Sequence, residues 1–159
     1  MDEFKIESLL DEDLVFLGLE AEDWVDVLRK LSAAAMEKGC VKDTYFDAVL
    51  ERERLYPTAL PTPVMKVAVP HAMERCHVLR PVIVVATLKT PIPFKEMGEG
   101  VSDVPVDAVF MLAVNGDKEQ LTVLQKLVGM FSDRRAMQRL KDAADPAGMV
   151  AAVKENLAG

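Results

Sequence analysis

One short segment of the chain, VPHAMERCH, contains both histidines, His71 and His77, together with Cys76. An imidazole changes its charge near neutral pH and can act as a proton carrier or as a nucleophile. His71 follows Pro70, which ends a short apolar strand predicted over residues 67–69. A histidine at the end of a buried strand is held by a rigid scaffold and can still be reached by a partner. We therefore take His71 as the candidate functional residue, the alternative being an ordinary loop histidine.

Two other chemistries are conceivable for this segment. His71, Cys76 and His77 could bind a metal ion, but zinc prefers four ligands in recognisable spacings, and the fourth would have to be Cys40 or a distant carboxylate. Cys76 and His77 could form a nucleophile pair only if the loop turned these two neighbours toward each other. The chain also lacks GxxxxGK[ST] and GxGxxG, the loops that cradle nucleotide phosphates. We expect no metal and no cofactor, and a nucleotide-using kinase is disfavoured.

The elements that must position this segment follow from the apolar pattern. Helical spacing predicts two helices before His71 and three near the C-terminus, whereas nearly unbroken apolar runs predict buried strands. Asp43 is the predicted cap of the second helix, which carries the charged sequence ERER and ends before Pro57. A proline-rich loop over residues 57–66 then leads to His71. The predicted helices cover residues 23–38, 44–55, 121–131, 137–140 and 145–157, and the predicted strands cover residues 14–19, 67–69, 82–88 and 106–114.

This order of helices, strands and further helices indicates a layered α/β or α+β fold with a largely buried sheet. The length of 159 residues is typical of one domain, here residues 1–159. The same spacing places Phe46, Val49 and Leu50 on one face of the second helix. The third helix is marked by Leu121, Leu124, Leu127, Val128 and Phe131.

Composition excludes several classes of function. The chain has 26 acidic and 19 basic side chains, and its formal charge of −7 would repel a nucleic-acid backbone. No apolar run approaches the roughly 20 residues of a membrane helix, and the acidic start differs from a signal peptide. Two cysteines are too few for a disulfide scaffold. We expect a cytoplasmic protein with reduced cysteines, no direct membrane insertion and no nucleic-acid partner.

Five segments together resemble a known family. They are LERERLYPTALPT, VAVPHA, VATLKTPIPFKEMGEG, VDAVFMLAV and QLTVLQKLVGMFSD. The chain resembles the EIIA component of the bacterial sugar phosphotransferase system (PTS), of the fructose and mannitol type and most of all its galactitol branch. The likeness extends from about Leu9 to Leu157. It implies an α/β sandwich whose mixed sheet is flanked by helices on both faces, similar to other phosphotransferase and anion transport proteins.

The resemblance also implies an activity and its residues. Members of the family take a phosphoryl group from the histidine phosphocarrier protein HPr onto one histidine and pass it to the cysteine of an EIIB subunit, which serves an EIIC membrane transporter. His71 matches the phosphorylated histidine of the PH motif, and Arg52 matches the arginine that stabilises the phosphoryl group. Glu53 and Thr58 match the same motif as possible supporting residues. Without the resemblance, Arg52 would be an ordinary solvated charge of the ERER helix.

The chain departs from the family pattern in two places. Many relatives have glycine after the threonine that Thr58 matches, and here Ala59 follows it. The mannitol branch has a second histidine where this chain offers Gln120, so His77 becomes a possible substitute by proximity alone. A regulatory phosphoprotein of the same fold, acting on a transcriptional or metabolic partner, is the alternative function. The sequence names neither the sugar nor the oligomeric state.

Overall fold

A computed structural model describes residues 5–157 of the chain. Before the His71 segment come a short 3-10 turn, one long strand and two helices; after it come two long strands and three helices. The elements, in chain order, are the 3-10 turn Ile6–Leu9, β1 (Leu10–Leu19), α1 (Trp24–Glu37), α2 (Tyr45–Leu55), β2 (Ala59–Leu60), β3 (Val67–Ala68), β4 (Val82–Lys95), β5 (Asp103–Ala113), α3 (Asp117–Phe131), α4 (Arg134–Asp142) and α5 (Pro146–Leu157).

The strands form one mixed sheet of five, in the order β1-β4-β5-β3-β2. β1 pairs with β4 in parallel, as β3 does with β5, whereas β4/β5 and β2/β3 are antiparallel. Side chains alternate along β4, so that Ile83 and Val85 join one apolar cluster while Val84 and Ala86 join another. The first cluster includes α3, α4 and α5, and the second includes α1 and α2. The predicted α/β sandwich with helices on both faces is confirmed.

Three strands, β1, β4 and β5, are longer than the apolar pattern predicts, whereas β3 ends one residue earlier than predicted. β1 begins at Leu10, and β4 continues past Leu88 to Lys95. Alternating burial in the second half of β4, where Ile92 and Phe94 are buried, marks a strand with one covered face. The sequence predicts a loop where β2 lies, because two residues are too few to show a period, but β2 pairs antiparallel with β3.

One local prediction about the helices is wrong, and the burial of two helical faces differs in part from their apolar spacing. Thr44, not Asp43, is the N-cap residue of α2, and its hydroxyl makes no cap hydrogen bond. Leu121 and Val128 are exposed on α3, where the buried face instead contains Val123, Leu127, Met130 and Phe131. In α2 the buried face contains Tyr45, Val49 and Glu53. Phe46 and Leu50 are only partly buried beside that face.

Other helix ends follow the sequence. The carboxylate of Asp23 accepts a hydrogen bond from the Asp26 amide at 2.8 Å and caps α1, and the Asp145 carboxylate accepts one from the Gly148 amide at 2.7 Å beside α5. Gly39, after α1, has a φ of 79°, a backbone conformation that glycine adopts at little cost. Within residues 5–157, no helix is both long and apolar enough to cross a membrane.

Candidate functional site

His71 is anchored to the end of the central strand β5. After β3 the chain continues through Val69 and Pro70, and His71 forms an isolated parallel bridge with Leu112. The Leu112 amide donates a hydrogen bond to the Pro70 carbonyl at 2.9 Å. His71 is only 4% exposed. Its backbone is therefore paired with the sheet rather than part of a free loop, as a fixed reactive group requires.

The contacts of the imidazole determine its protonation. Nδ1 of His71 lies 2.8 Å from the Val69 carbonyl oxygen. A carbonyl can only accept a hydrogen bond, so Nδ1 carries the proton and Nε2 keeps its lone pair. Burial, followed by the nearby positive charge of Arg52, lowers the pKa of His71 to about 4, against the opposing effect of the Val69 bond. At neutral pH the ring is therefore neutral, with Nε2 as a nucleophilic nitrogen.

Arg52 brings a positive charge close to this ring. It lies in the last turn of α2 and is half-buried. Its Nη1 donates a hydrogen bond to the Tyr56 carbonyl at 2.6 Å, and its Cζ lies 5.4 Å from the centre of the Tyr56 ring. Burial lowers the pKa of Arg52, but an arginine remains protonated at neutral pH. A cationic fork beside a neutral imidazole can hold anionic oxygens without protonating the nucleophile.

Glu53 and Thr58 form a buried hydrogen-bond network that reaches Val69. Glu53 is 5% exposed and Thr58 1% exposed. The Glu53 carboxylate accepts hydrogen bonds from the Thr58 amide at 2.9 Å and from its hydroxyl at 2.8 Å. The Thr58 hydroxyl in turn accepts one from the Val69 amide at 3.1 Å. Burial raises the pKa of Glu53, and the Thr58 bonds oppose that rise. These bonds connect α2 to the residue whose carbonyl orients His71.

His77 lies in a different setting. Its Nδ1 is 2.6 Å from the Thr44 hydroxyl, and its Nε2 is 3.8 Å from a carboxylate oxygen of Glu74. Its carbonyl accepts a hydrogen bond from the Lys42 amide at 2.8 Å. Thr44 precedes the first turn of α2 and Arg52 lies in the last turn, so about two to three helical turns separate them. Among the contacts described in residues 5–157, His77 has none with Arg52 or His71. Its supporting role stays a prediction.

Other residues singled out by the sequence also have definite places. Cys40 is buried and Cys76 exposed, both as free thiols. Gln120 lies in the first turns of α3, partly buried. In the segment between α2 and His71, Met65 is buried, and Leu60 and Val64 pack against the core, so most of this apolar segment serves packing. Residues 5–157 contain no group of three or more His, Cys, Asp and Glu side chains arranged to hold a metal ion.

Sequence reasoning missed one buried contact, which involves the β5 residue that pairs with His71. Tyr45 is fully buried in α2, and its hydroxyl donates a hydrogen bond to the Leu112 carbonyl at 2.5 Å. Leu112 is the residue that bridges His71. The signal was present in the spacing, because Tyr45, Val49 and Glu53 recur every four residues and so share one helical face.

Solved structures with a similar fold indicate the class of protein. A crystal structure of the nitrogen regulatory protein IIA-Ntr from Neisseria meningitidis has a TM-score of 0.76 and 22% identity, covering 93% of this chain and 98% of that one. Mannitol enzyme IIA of Escherichia coli, solved in complex with phosphorylated enzyme IIB, has a TM-score of 0.73 and 22% identity, covering 92% and 97%. The fold is that of PTS IIA proteins.

The family follows from the sequence match. The model described as "Phosphoenolpyruvate-dependent sugar phosphotransferase system, EIIA 2" matches residues 8–156. The chain belongs to this family, a sugar PTS component, as its segments predicted. It is 29% identical to the galactitol-specific EIIA component of Escherichia coli over 123 residues, covering 77% of this chain and 81% of the relative. It is 31% identical to a nitrogen regulatory protein of Klebsiella oxytoca over 112 residues, covering 69% and 65%.

Proposed function

We propose that this chain is a phosphocarrier subunit that receives a phosphoryl group on Nε2 of His71 from phospho-HPr and passes it to the cysteine of an EIIB subunit. One observation carries the proposal. The Val69 carbonyl holds the proton of His71 on Nδ1, and burial keeps the ring neutral, which leaves the Nε2 lone pair as the nucleophile. In this role the chain is a phosphotransferase that works through a phosphohistidine intermediate and needs neither a metal nor a nucleotide.

The phosphoryl group can move onto His71 and off again while the proton of the ring stays on Nδ1. The Nε2 lone pair attacks the phosphorus in line, and the bond from phosphorus to the donor nitrogen breaks and returns its electron pair to the donor imidazole. His71 then carries the phosphoryl group on Nε2 and a proton on Nδ1, and the Val69 carbonyl accepts a hydrogen bond from that proton. In the second transfer an EIIB thiolate attacks the phosphorus. His71 then leaves as a neutral imidazole, because its proton never left Nδ1.

Arg52 supplies the positive charge for this reaction. Charge spreads over the three equatorial oxygens of a loose phosphoryl transition state, so the protein mainly positions and neutralises it. Among residues 5–157, the Nη1 bond to Tyr56 is the one hydrogen bond described for this guanidinium, which has five N–H groups with which to hold phosphoryl oxygens. Glu53 and Thr58 hold Val69, and through it the imidazole, in place.

The relatives support particular partners. Mannitol enzyme IIA has been solved in a complex with phosphorylated enzyme IIB, and a galactitol-specific EIIA component is similar over most of this chain. We propose an EIIB subunit as the acceptor and, beyond it, an EIIC membrane transporter for a sugar or sugar alcohol. The working place of such a subunit is the cytoplasm, where HPr and the EIIB domain are found.

A regulatory phosphoprotein is the second candidate. It is favoured by the similarity to nitrogen regulatory proteins, at 31% identity over 112 residues. In that case His71 would be phosphorylated in the same way, but the phosphoryl group would control binding to a regulator instead of moving on to EIIB.

The experiment that tests the proposal follows one phosphoryl group. The protein is incubated with phosphoenolpyruvate, enzyme I and HPr, and its intact mass is measured before and after addition of a galactitol-type EIIB. We expect a single acid-labile, base-stable phosphate that disappears when EIIB is added and appears on the EIIB cysteine. No labelling by phospho-HPr would contradict the proposal. Labelling that persists with every EIIB tested would favour the regulatory alternative.

A further inference from the structure

Tyr56 makes two separate contacts with the same guanidinium. It is the residue directly after α2, and its carbonyl accepts the hydrogen bond from Nη1 of Arg52 at 2.6 Å. Its ring lies 5.4 Å from Cζ of Arg52, within the range of a cation–π contact. The chain therefore holds Arg52 from two sides with one residue, once through the backbone and once through the side chain.

The exposure of Tyr56 argues against a packing role. Its side chain is 57% exposed, so its ring contributes little to the core, whereas Arg52 beside it is half-buried. An arginine side chain has several rotatable bonds, and fixing it in one place costs conformational entropy. A residue that restrains the guanidinium before the phosphoryl group arrives removes part of that cost from the transition state.

We propose that Tyr56 is a positioning residue for phosphoryl transfer, which acts through Arg52 by holding its guanidinium beside His71. This inference rests on the proposed function, because the role of Arg52 as the phosphoryl clamp belongs to it. The carbonyl contact survives any side-chain substitution, so only the ring contribution can be removed by mutation. Tyr56→Leu removes the aromatic face and keeps an apolar side chain, whereas Tyr56→Phe keeps the face and loses only the hydroxyl.

The chain offers a matched control next to Tyr56. Leu55 is the last residue of α2 and is 58% exposed, and no contact joins it to Arg52 among those described within residues 5–157. Leu55→Ala therefore removes a comparable exposed apolar side chain from the same helix end. Melting temperatures of all three variants are measured first, and we expect them to match the wild type.

The kinetic test separates positioning from partner contact. Single-turnover phosphorylation is measured over a range of phospho-HPr concentrations, which gives a maximal rate constant and a half-saturating concentration for each variant. Loss of one exposed cation–π contact should lower the maximal rate constant of Tyr56→Leu roughly two- to fivefold. Tyr56→Phe should restore it, and Leu55→Ala should leave it unchanged. If Tyr56→Leu instead raises only the half-saturating concentration, the ring contacts the donor and the positioning role is overturned.

A double-variant cycle tests whether Tyr56 acts through Arg52. In an Arg52→Gln background, where the cation is gone, Tyr56→Leu should cause little further loss. An equal loss in both backgrounds would overturn the inference.

A measurement without any transfer separates the two proposals. The side-chain Nε–Hε resonance of Arg52 in the unphosphorylated protein should shift in Tyr56→Leu, because the aromatic ring lies beside the guanidinium, and should stay in Leu55→Ala. An unshifted resonance would overturn the inference about Tyr56 while leaving His71 as the acceptor. Failure of phospho-HPr to label the wild-type protein would instead remove the proposed function, and with it the transfer role of Tyr56.

Discussion

The two histidines of this chain are close in sequence and have opposite surroundings. His71 is buried beside β5 and its Nδ1 donates to the Val69 carbonyl, while burial and the charge of Arg52 lower its pKa. His77 lies in the following loop, where its Nδ1 meets the Thr44 hydroxyl and its Nε2 faces Glu74. A hydroxyl can donate or accept, so this contact does not select one tautomer of His77. The Val69 carbonyl can only accept, so it fixes the proton of His71 on Nδ1, whereas the Thr44 hydroxyl leaves the Nδ1 of His77 free to donate or accept.

The two ends of α2 also differ from each other, one having a buried hydrogen-bond network and the other an exposed contact. Near the last turn, Glu53 and Thr58 are both buried and bonded to each other, and their network extends to Val69. At the first turn, the Thr44 hydroxyl is exposed and bonds only the ring of His77 among the contacts described in residues 5–157. Loss of a buried hydrogen-bonding partner costs more than loss of an exposed one, because the remaining group has no water to replace it. The predictions below separate the two regions.

The largest effect is expected from the histidines themselves. His71→Ala should abolish phosphorylation by phospho-HPr, because it removes the nucleophilic nitrogen. His77→Gln should still form the phosphorylated adduct, and at most more slowly, because Nε2 of His71 remains. Intact-mass measurements over time check both variants. Full labelling of His71→Ala would show that another residue accepts the phosphoryl group and would end the distinction between the two histidines.

Arg52→Lys should give the next largest effect. The substitution keeps the positive charge but loses the planar fork, and loss of one charge-assisted donor in a dry site costs roughly 2 to 4 kcal/mol in the transition state. Phosphoryl transfer should therefore slow about 30- to 1,000-fold with the fold intact. Arg54→Lys is the matched control, since Arg54 belongs to the same helical turn and is exposed. Equal rates for the two variants would make Arg52 an ordinary surface charge.

The protonation of His71 should appear in the pH dependence of stability. Its pKa is about 4 in the folded chain and 6.5 in its ordinary, unfolded setting. Between these pH values the unfolded chain binds a proton that the folded chain does not, so the free energy of unfolding falls as the pH drops. The loss attributable to His71 should approach about 3 kcal/mol by pH 4.

Comparison with His71→Gln isolates this contribution. The raised pKa of Glu53 acts in the opposite direction, because the folded state then binds a proton more readily, but Glu53 is present in both proteins. Urea unfolding at several pH values should show a steeper loss toward acid for the wild type than for His71→Gln. Parallel curves would mean that the ring titrates as an exposed histidine does.

Much of this site follows from the sequence, and what does not has a physical reason. The strand end before His71, the PH dipeptide and the ERER helix are local patterns, and the family match confirms the fold that they imply. The orientation of the ring depends on the backbone carbonyl of Val69, a group that every residue carries and that no sequence pattern distinguishes. The role of His71 itself stays a prediction until the phosphoryl group is located.

The sequence did not predict the burial of Glu53, for a different reason. Charges in a row such as ERER are typical of a solvated helix face, and Arg54 is indeed exposed. Only the four-residue spacing from Tyr45 and Val49 shows that Glu53 lies on the buried face, and only tertiary structure shows that Thr58 bonds both of its oxygens. Strand β2 also depends on a tertiary contact, its pairing with β3, because its two residues have no periodicity of their own.

Thr58→Val tests the buried region with almost no change of shape. It leaves one Glu53 oxygen and the Val69 amide without the Thr58 hydroxyl, which should lower the free energy of unfolding by about 1 to 3 kcal/mol. Phosphoryl transfer should also slow, because Val69 orients His71. Urea unfolding and single-turnover labelling measure the two effects. Wild-type values in both would show that the network does not support the imidazole.

Thr44→Val makes the same substitution at the other end of α2 and should have the smallest effect. Thr44 is exposed and makes no side-chain cap bond, so the change removes only its contact with the His77 ring. The free energy of unfolding should stay within about 0.5 kcal/mol of the wild type, as for most exposed substitutions. The labelling rate should stay unchanged, because His71, Val69 and Arg52 keep all their described contacts. A slower rate for Thr44→Val than for Thr58→Val would instead connect His77 to phosphoryl transfer and reverse the comparison between the two histidines.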